Sequence, residues 1–239
     1  MTDRYTSGEY AKNEYCCDFD SDFAPWKARK VWDIIKKNNL NPKTICDVGC
    51  GSGGISYNLQ KYLPECMFTG YDISPDAMKL CLKNENDKLH FKLADFLEER
   101  DVYCDIILLL DVIEHLENYF QYLRDIKLMS NYKILHIPIE NFSVALLYPK
   151  FQLGKNKKGG HLHFFTKELI LQIIESLGYE IIDCQYTTTM EEPLRNWGWK
   201  DNLLMYPRKI FYLISPDITS RIFGGYSLMV VLKTSGEVQ

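Results

Sequence analysis

The chain lacks several features that would assign it quickly. No apolar run among its 239 residues is long enough to span a bilayer. The opening Met1-Thr2-Asp3-Arg4-Tyr5 lacks the apolar stretch of a secretory leader, and the expected location is cytoplasmic. There is no basic surplus. The net charge is −4, which removes the general electrostatic footprint of a nucleic-acid binder. Eight cysteines form no C-x-x-C pair. Cys16 and Cys17 are adjacent, and Cys46, Cys50, Cys66, Cys81, Cys104 and Cys184 stand singly. That spacing offers neither a zinc site nor a redox motif. Free thiols in a reducing compartment are expected instead. No internal repeat or low-complexity tract occurs.

What is present is an α/β pattern with a glycine loop. The hydrophobic fraction of 46% is ordinary for a globular chain, and the length suits a single domain over 1–239. The strand Thr44–Val48 runs into Asp47-Val48-Gly49-Cys50-Gly51-Ser52-Gly53-Gly54. Glycines there permit a sharp strand-to-helix turn and a close approach of backbone to ligand. Gly49, Gly51 and Gly54 also satisfy G-x-G-x-x-G, so the glycines alone do not choose between a nicotinamide dinucleotide and another nucleoside. Asp47 decides the matter. A carboxylate two residues before Gly49 would repel a pyrophosphate and favour a cation. A second apolar strand ends in Tyr71-Asp72-Ile73, a third in Leu93-Ala94-Asp95-Phe96, and a fourth in Leu110-Asp111-Val112-Ile113-Glu114-His115.

These four motifs, in this order, resemble the class I S-adenosylmethionine-dependent methyltransferases, over about Asn41 to Asp183. The resemblance implies a Rossmann-like seven-stranded mixed sheet with its last strand antiparallel, helices on both faces, and S-adenosyl-L-methionine as cofactor. It implies that Asp47, Gly49, Gly51 and Gly53 flank the methionine part, with Leu110, Asp111 and Val112 nearby. Asp72, beside Ile73, would accept the ribose hydroxyls. Asp95 would meet the adenine amino group, and Phe96 would pack on the base. Lys27, together with Tyr5, Tyr10 and Trp26, is placed to close over the cofactor, with Lys27 reaching its carboxylate.

Local patterns place the elements. A helix is expected from Pro25 to Asn39, others over Ile55 to Tyr62, from Pro75 after a Ser74 cap, over Asn118 to Met129 and over Lys167 to Leu177. Strands are expected at Met67 to Tyr71, His90 to Leu93, Ile106 to Leu110, Tyr132 to Ile137, Tyr179 to Tyr186 and Ser227 to Lys233. Alternating strands and helices indicate a parallel sheet, whose ligands bind at the carboxyl ends of the strands. The chain thus divides into an N-terminal cap (1–40), a cofactor core (41–186 and 225–235) and two long connections (140–165 and 187–224). Such connections are commonly functional. They are expected to form a lid on the acceptor side.

The reactive methyl belongs to the cofactor, so the protein must position an acceptor and, for an alcohol, take up a proton. His161 in Gly160-His161-Leu162-His163-Phe164-Phe165-Thr166 is the first candidate base, with His115 second. His163, Arg195, Trp197 and Trp199 are candidates to contact the acceptor, although the two indoles could equally form the core of the insertion. His161 and His163 show no matching carboxylate cluster, so no metal is expected. Lys155, Lys157 and Lys158 read as a solvated loop. The position after strand four lacks the proline-proline-aromatic stretch that resemblance associates with nucleobase amines. The expected activity is O-methylation of a small molecule, on a sugar or glycan-linked hydroxyl by preference. The alternatives are a small-amine N-methyltransferase, a NAD-dependent oxidoreductase and a non-catalytic S-adenosylmethionine-binding protein.

Overall fold

The computed structural model describes residues 23–99, 101–148, 150–188 and 208–234. Helix α1 (Phe23–Lys37) leads to strand β1 (Thr44–Val48) and, past the glycine turn, to α2 (Gly54–Gln60). Strand β2 (Met67–Asp72), helix α3 (Pro75–Cys81) and strand β3 (Leu89–Leu93) follow. Next come β4 (Cys104–Leu110), α4 (Tyr119–Asp125) and β5 (Ser130–Ile139). Two further helices, α5 (Ser143–Leu147) and α6 (Lys150–Gly159), precede α7 (Lys167–Ser176). The chain closes with β6 (Tyr179–Thr188), α8 (Pro216–Phe223) and β7 (Tyr226–Thr234).

The seven strands lie in the order β3-β2-β1-β4-β5-β7-β6. Strands β1 to β5 pair in parallel, and β7 runs antiparallel to β5 and β6. The expected mixed sheet with an antiparallel last strand is therefore present.

Side-chain alternation builds two cores. Ile45, Phe68, Ile106, Leu108 and Ile134 face Ala28, Val31, Ile34 and Ile35 of α1 on one side. Cys46, Ile107, Leu109, Leu135 and Ile137 face Leu123 of α4 and Ile170 and Ile174 of α7 on the other. A central strand covered on both faces has to be apolar throughout, which is why β4 reads Ile-Ile-Leu-Leu-Leu.

Strand order reverses between β1 and β4, the point where open α/β sheets leave a crevice at their carboxyl ends. Among the described residues no helix is long and apolar enough to cross a membrane. The connection over 140–165 departs from expectation, because it folds into α5 and α6. Lys155 and Lys157 accordingly stand on a helix rather than in a loop.

Candidate active site

The glycine turn is tied to β2 by its own backbone. The N–H groups of Gly49 and Cys50 donate to the Tyr71 carbonyl at 2.8 and 3.0 Å. Gly51 N–H donates to Asp72 Oδ2 at 2.8 Å, and Ser74 N–H to Asp72 Oδ1 at 2.8 Å. Two main-chain donors therefore orient one carboxylate, which retains lone pairs for further donors. Gly53 caps α2 with φ of +77°, and a Cβ there would lie 2.5 Å from the Phe91 ring. Asp47 is buried and accepts from the Ser56 hydroxyl at 2.6 Å. Burial, eased by Ser56 and reinforced by Asp72, pushes its carboxyl up to about 6. Burial also raises Asp72. The turn thus sets two buried acids beside bare backbone, an arrangement suited to hydroxyl donors and a cation.

A second assembly lies at the end of β4. Asp111 has φ of +58°, a left-handed conformation that Asp tolerates better than most residues. Its carboxylate accepts from Lys27 Nζ and, at 2.5 Å, from His136 Nδ1. His136 Nε2 meets the Thr187 hydroxyl at 2.8 Å. Burial alone would raise the Asp111 carboxyl, but His136 and Lys27 outweigh it and hold it well below the usual range. Lys27 is only 1% exposed, so it belongs to this network. Expected to reach a ligand carboxylate, its Nζ pairs with Asp111 in the structure.

A third assembly joins the ends of β4 and β5. The turn Ile113–His115 carries Glu114, which is fully buried, with neither carboxylate oxygen hydrogen-bonded. The Glu114 carbonyl accepts from Leu162 and His163 N–H at 2.8 and 3.2 Å, which draws the 160–163 segment onto the turn. The rings of His115 and His161 then meet edge to face at 4.9 Å. His115 Nδ1 donates to the Gly160 carbonyl at 3.2 Å, and His161 Nδ1 to Glu140 Oε2 at 2.7 Å. Lys155 pairs with the other Glu140 oxygen at 2.7 Å. Burial opposes ionisation of Glu140, but His161 and Lys155 outweigh it and keep its carboxyl below the usual range. Burial and repulsion from Asp111 drive Glu114 well above its range.

The structure brings together Asp47, Gly49, Gly51, Gly53 and Asp72 as expected from sequence, and it unites His115 with His161. Other expected site residues have partners within the protein. Asp95 is exposed and caps the Phe96–Glu98 turn through Leu97 N–H at 3.0 Å. Phe96 is 1% exposed and packs edge-on to Tyr71, so its ring has no open face for a base. His163 donates to the Leu116 carbonyl at 2.8 Å and packs against Tyr119. Tyr5, Tyr10, Arg195, Trp197 and Trp199 lie outside the described residues. Sequence reasoning missed Glu114, Glu140 and His136 as partners. One signal was available: Ala24, Lys27, Val31 and Ile34 form one helical stripe, which places Lys27 on the buried face.

A family model described as a methyltransferase domain matches residues 19–183, more than half of the chain. The chain is 27% identical over 193 residues to O-methyltransferase 3 of Dictyostelium discoideum, covering 70% of this chain and 44% of that protein. It is 37% identical over 83 residues to a Papaver bracteatum protein named "Probable (S)-tetrahydroprotoberberine N-methyltransferase 2", covering 32% and 23% respectively. The chain thus spans under half the length of these curated relatives. Among solved structures, the N-methyltransferase NodS of Bradyrhizobium japonicum superposes with a TM-score of 0.62 at 12% identity, covering 98% of this chain and 100% of that one. Magnesium protoporphyrin IX methyltransferase of Synechocystis gives 0.61 at 16% identity, covering 97% of each. With the family model matched across the glycine turn, the strand-end acids and the histidine-bearing turn, the chain belongs to the methyltransferase-domain family, and its fold is the one those solved methyltransferases share.

Proposed function

We propose that the chain methylates a hydroxyl of a small-molecule acceptor, with S-adenosylmethionine held at the β1–β2 end of the crevice. Both solved structures named above contain S-adenosylhomocysteine. The donor set here fits that compound: Asp72 presents an oriented carboxylate for ribose hydroxyls, and Asp47 adds a second acid beside the turn for a cation. When bound, the cofactor supplies a methyl group on a sulfonium, already an excellent leaving group. The protein's tasks are then alignment, exclusion of water and handling of one proton. Alignment alone is worth about 7–11 kcal/mol of barrier.

The observation that carries O-methylation is the His115–His161 pair with Glu140 behind it. As the new O–C bond forms and the C–S electron pair returns to sulfur, the hydroxyl must lose its proton. An imidazole whose Nδ1–H is held by a carboxylate presents its Nε2 lone pair for that proton. The insertions supply the acceptor wall in this reading. Helix α8 packs against α5, and Gly224 sits against the Phe142 ring. Leu147 of α5 is left exposed, and a sugar or glycan-linked hydroxyl is the finer expectation. His161→Ala should lower turnover by about 10²–10⁴-fold while leaving cofactor affinity intact. Turnover at the wild-type rate would remove the histidine pair from the reaction.

A further inference from the structure

We propose that Glu114, His115 and His161 form a binding site for one divalent first-row transition cation on the acceptor side of the crevice. One carboxylate oxygen and one ring nitrogen from each histidine lie within 4.8 Å of one another. Atoms bound about 2.0–2.2 Å from a shared cation sit roughly 3–4.4 Å apart. Only a pair placed opposite each other reaches the upper end of that range, so the cluster needs to contract by about 1–2 Å to close on an ion. Glu114 Oε1 already stands 4.0 Å from His115 Nε2.

Two independent features point to a cation. The first is Glu114 itself. A fully buried carboxyl with both oxygens unpartnered is costly, because it has lost its water and gained no donor. A dication satisfies both oxygens at once. The second is the arrangement of the histidines. The Gly160 carbonyl can only accept, so His115 Nδ1 carries the proton there. The ionised Glu140 does the same for His161. Each imidazole therefore keeps its lone pair on Nε2, the tautomer a metal ligand requires. A carboxylate or carbonyl behind the ligating ring is the usual support for such a ligand.

The donor chemistry narrows the ion. One carboxylate and two imidazoles suit zinc, manganese, iron or cobalt better than the hard, oxygen-seeking magnesium or calcium. Three protein ligands leave positions open for an oxygen of the acceptor, and a cation there makes a bound hydroxyl more acidic. This rests on the reading that the cluster faces the acceptor. In the metal-loaded enzyme the two imidazoles serve as ligands and the hydroxyl proton leaves to water. In the metal-free enzyme His161 takes it.

The test is a titration of the chelator-stripped full chain with Mn²⁺, read by electron paramagnetic resonance, and with Co²⁺, read by its visible ligand-field bands. One site per chain is expected, with nitrogen ligation in the cobalt spectrum. Glu114→Gln and His161→Ala should each weaken binding by about 10–100-fold or more. His163→Ala, two residues from the cluster, should bind as wild type. If Glu114→Gln does not fold, His115→Gln and His161→Asn carry the same expectation. The proposal is overturned if the wild type binds neither ion at one site, or if the ligand variants bind as wild type does. S-adenosylhomocysteine binding is measured on the same metal-free sample. Its presence without metal binding sinks only the metal site, whereas its absence sinks the cofactor reading and leaves the metal result standing.

Discussion

Replacing Lys27 by Met tests the Lys27–Asp111–His136 network without changing much volume. Removing one partner of a fully buried ion pair costs about 3–5 kcal/mol. Two facts reduce that here. The Asp111 side chain is 34% exposed, so water can reach it, and His136 stays beside it. A loss of about 1–3 kcal/mol is therefore expected in the cofactor-free protein. For a chain of this size each kcal/mol lowers the melting midpoint by roughly 2–4 °C. Asp111→Asn should cost more than Lys27→Met, because it leaves Lys27 buried at 1% exposure without an anion. The double variant should be more stable than the sum of the two losses allows, by about 0.5–3 kcal/mol. The pH dependence has a definite sign. The Asp111 carboxyl lies below its ordinary value in the folded chain, so its contribution is present above the unfolded value near 4 and fades only as pH falls through the depressed one. The gap between wild type and Lys27→Met should accordingly be flat from about pH 8 to 5 and shrink in acid. Chemical denaturation of the three variants across that range supplies the data. A Lys27→Met protein as stable as wild type, or strictly additive losses, would refute the network.

Two other outcomes follow from the glycine turn. Asp47 titrates at about 6 in the empty chain, above its ordinary value, so its contribution to stability is complete near pH 4 and lost as pH rises through about 6. A bound cation reverses that preference. S-adenosylmethionine affinity should rise between about pH 5 and 7, and Asp47→Asn should flatten the rise in calorimetry. Gly53→Ala should lower stability by at least about 1–2 kcal/mol, since φ is +77° and the new methyl meets Phe91. An unchanged urea midpoint would show that the turn relaxes freely.

Legibility in sequence followed locality. Strand β1 is present over the expected Thr44–Val48, because an apolar run bounded by Pro42 and Gly49 is decided by neighbours in the chain. The same holds for α3, where Ser74 accepts from Ala77 N–H and Pro75 opens the helix. Helix α6 escaped because Lys150–Gly159 is polar around its circumference and contains Gly154. Tertiary contacts hold it, Lys155 to Glu140 and Phe151 to Phe142. The strand-end acids Asp47 and Asp72 were readable from their place in the motif. The nearness of Glu114 to His161 was not, because 46 intervening residues return to the turn through hydrogen bonds to the Glu114 carbonyl and between the His115 ring and the Gly160 carbonyl. No carboxylate stands beside His161 or His163 in the sequence, whereas the fold brings Glu114 and Glu140 to His161 from two strand ends.

The most direct test of the central claim is calorimetry of the full chain with S-adenosylhomocysteine and with NAD at pH 7.5. The oriented Asp72 carboxylate and the acidic surround should give one site for S-adenosylhomocysteine and none for NAD. Asp72→Ala should weaken that site by about 1–3 kcal/mol, through ribose hydroxyls left unpaired. NAD binding with no response to S-adenosylhomocysteine, or an Asp72→Ala protein that binds as tightly as wild type, would contradict the assignment of the glycine-lined hollow as the cofactor site.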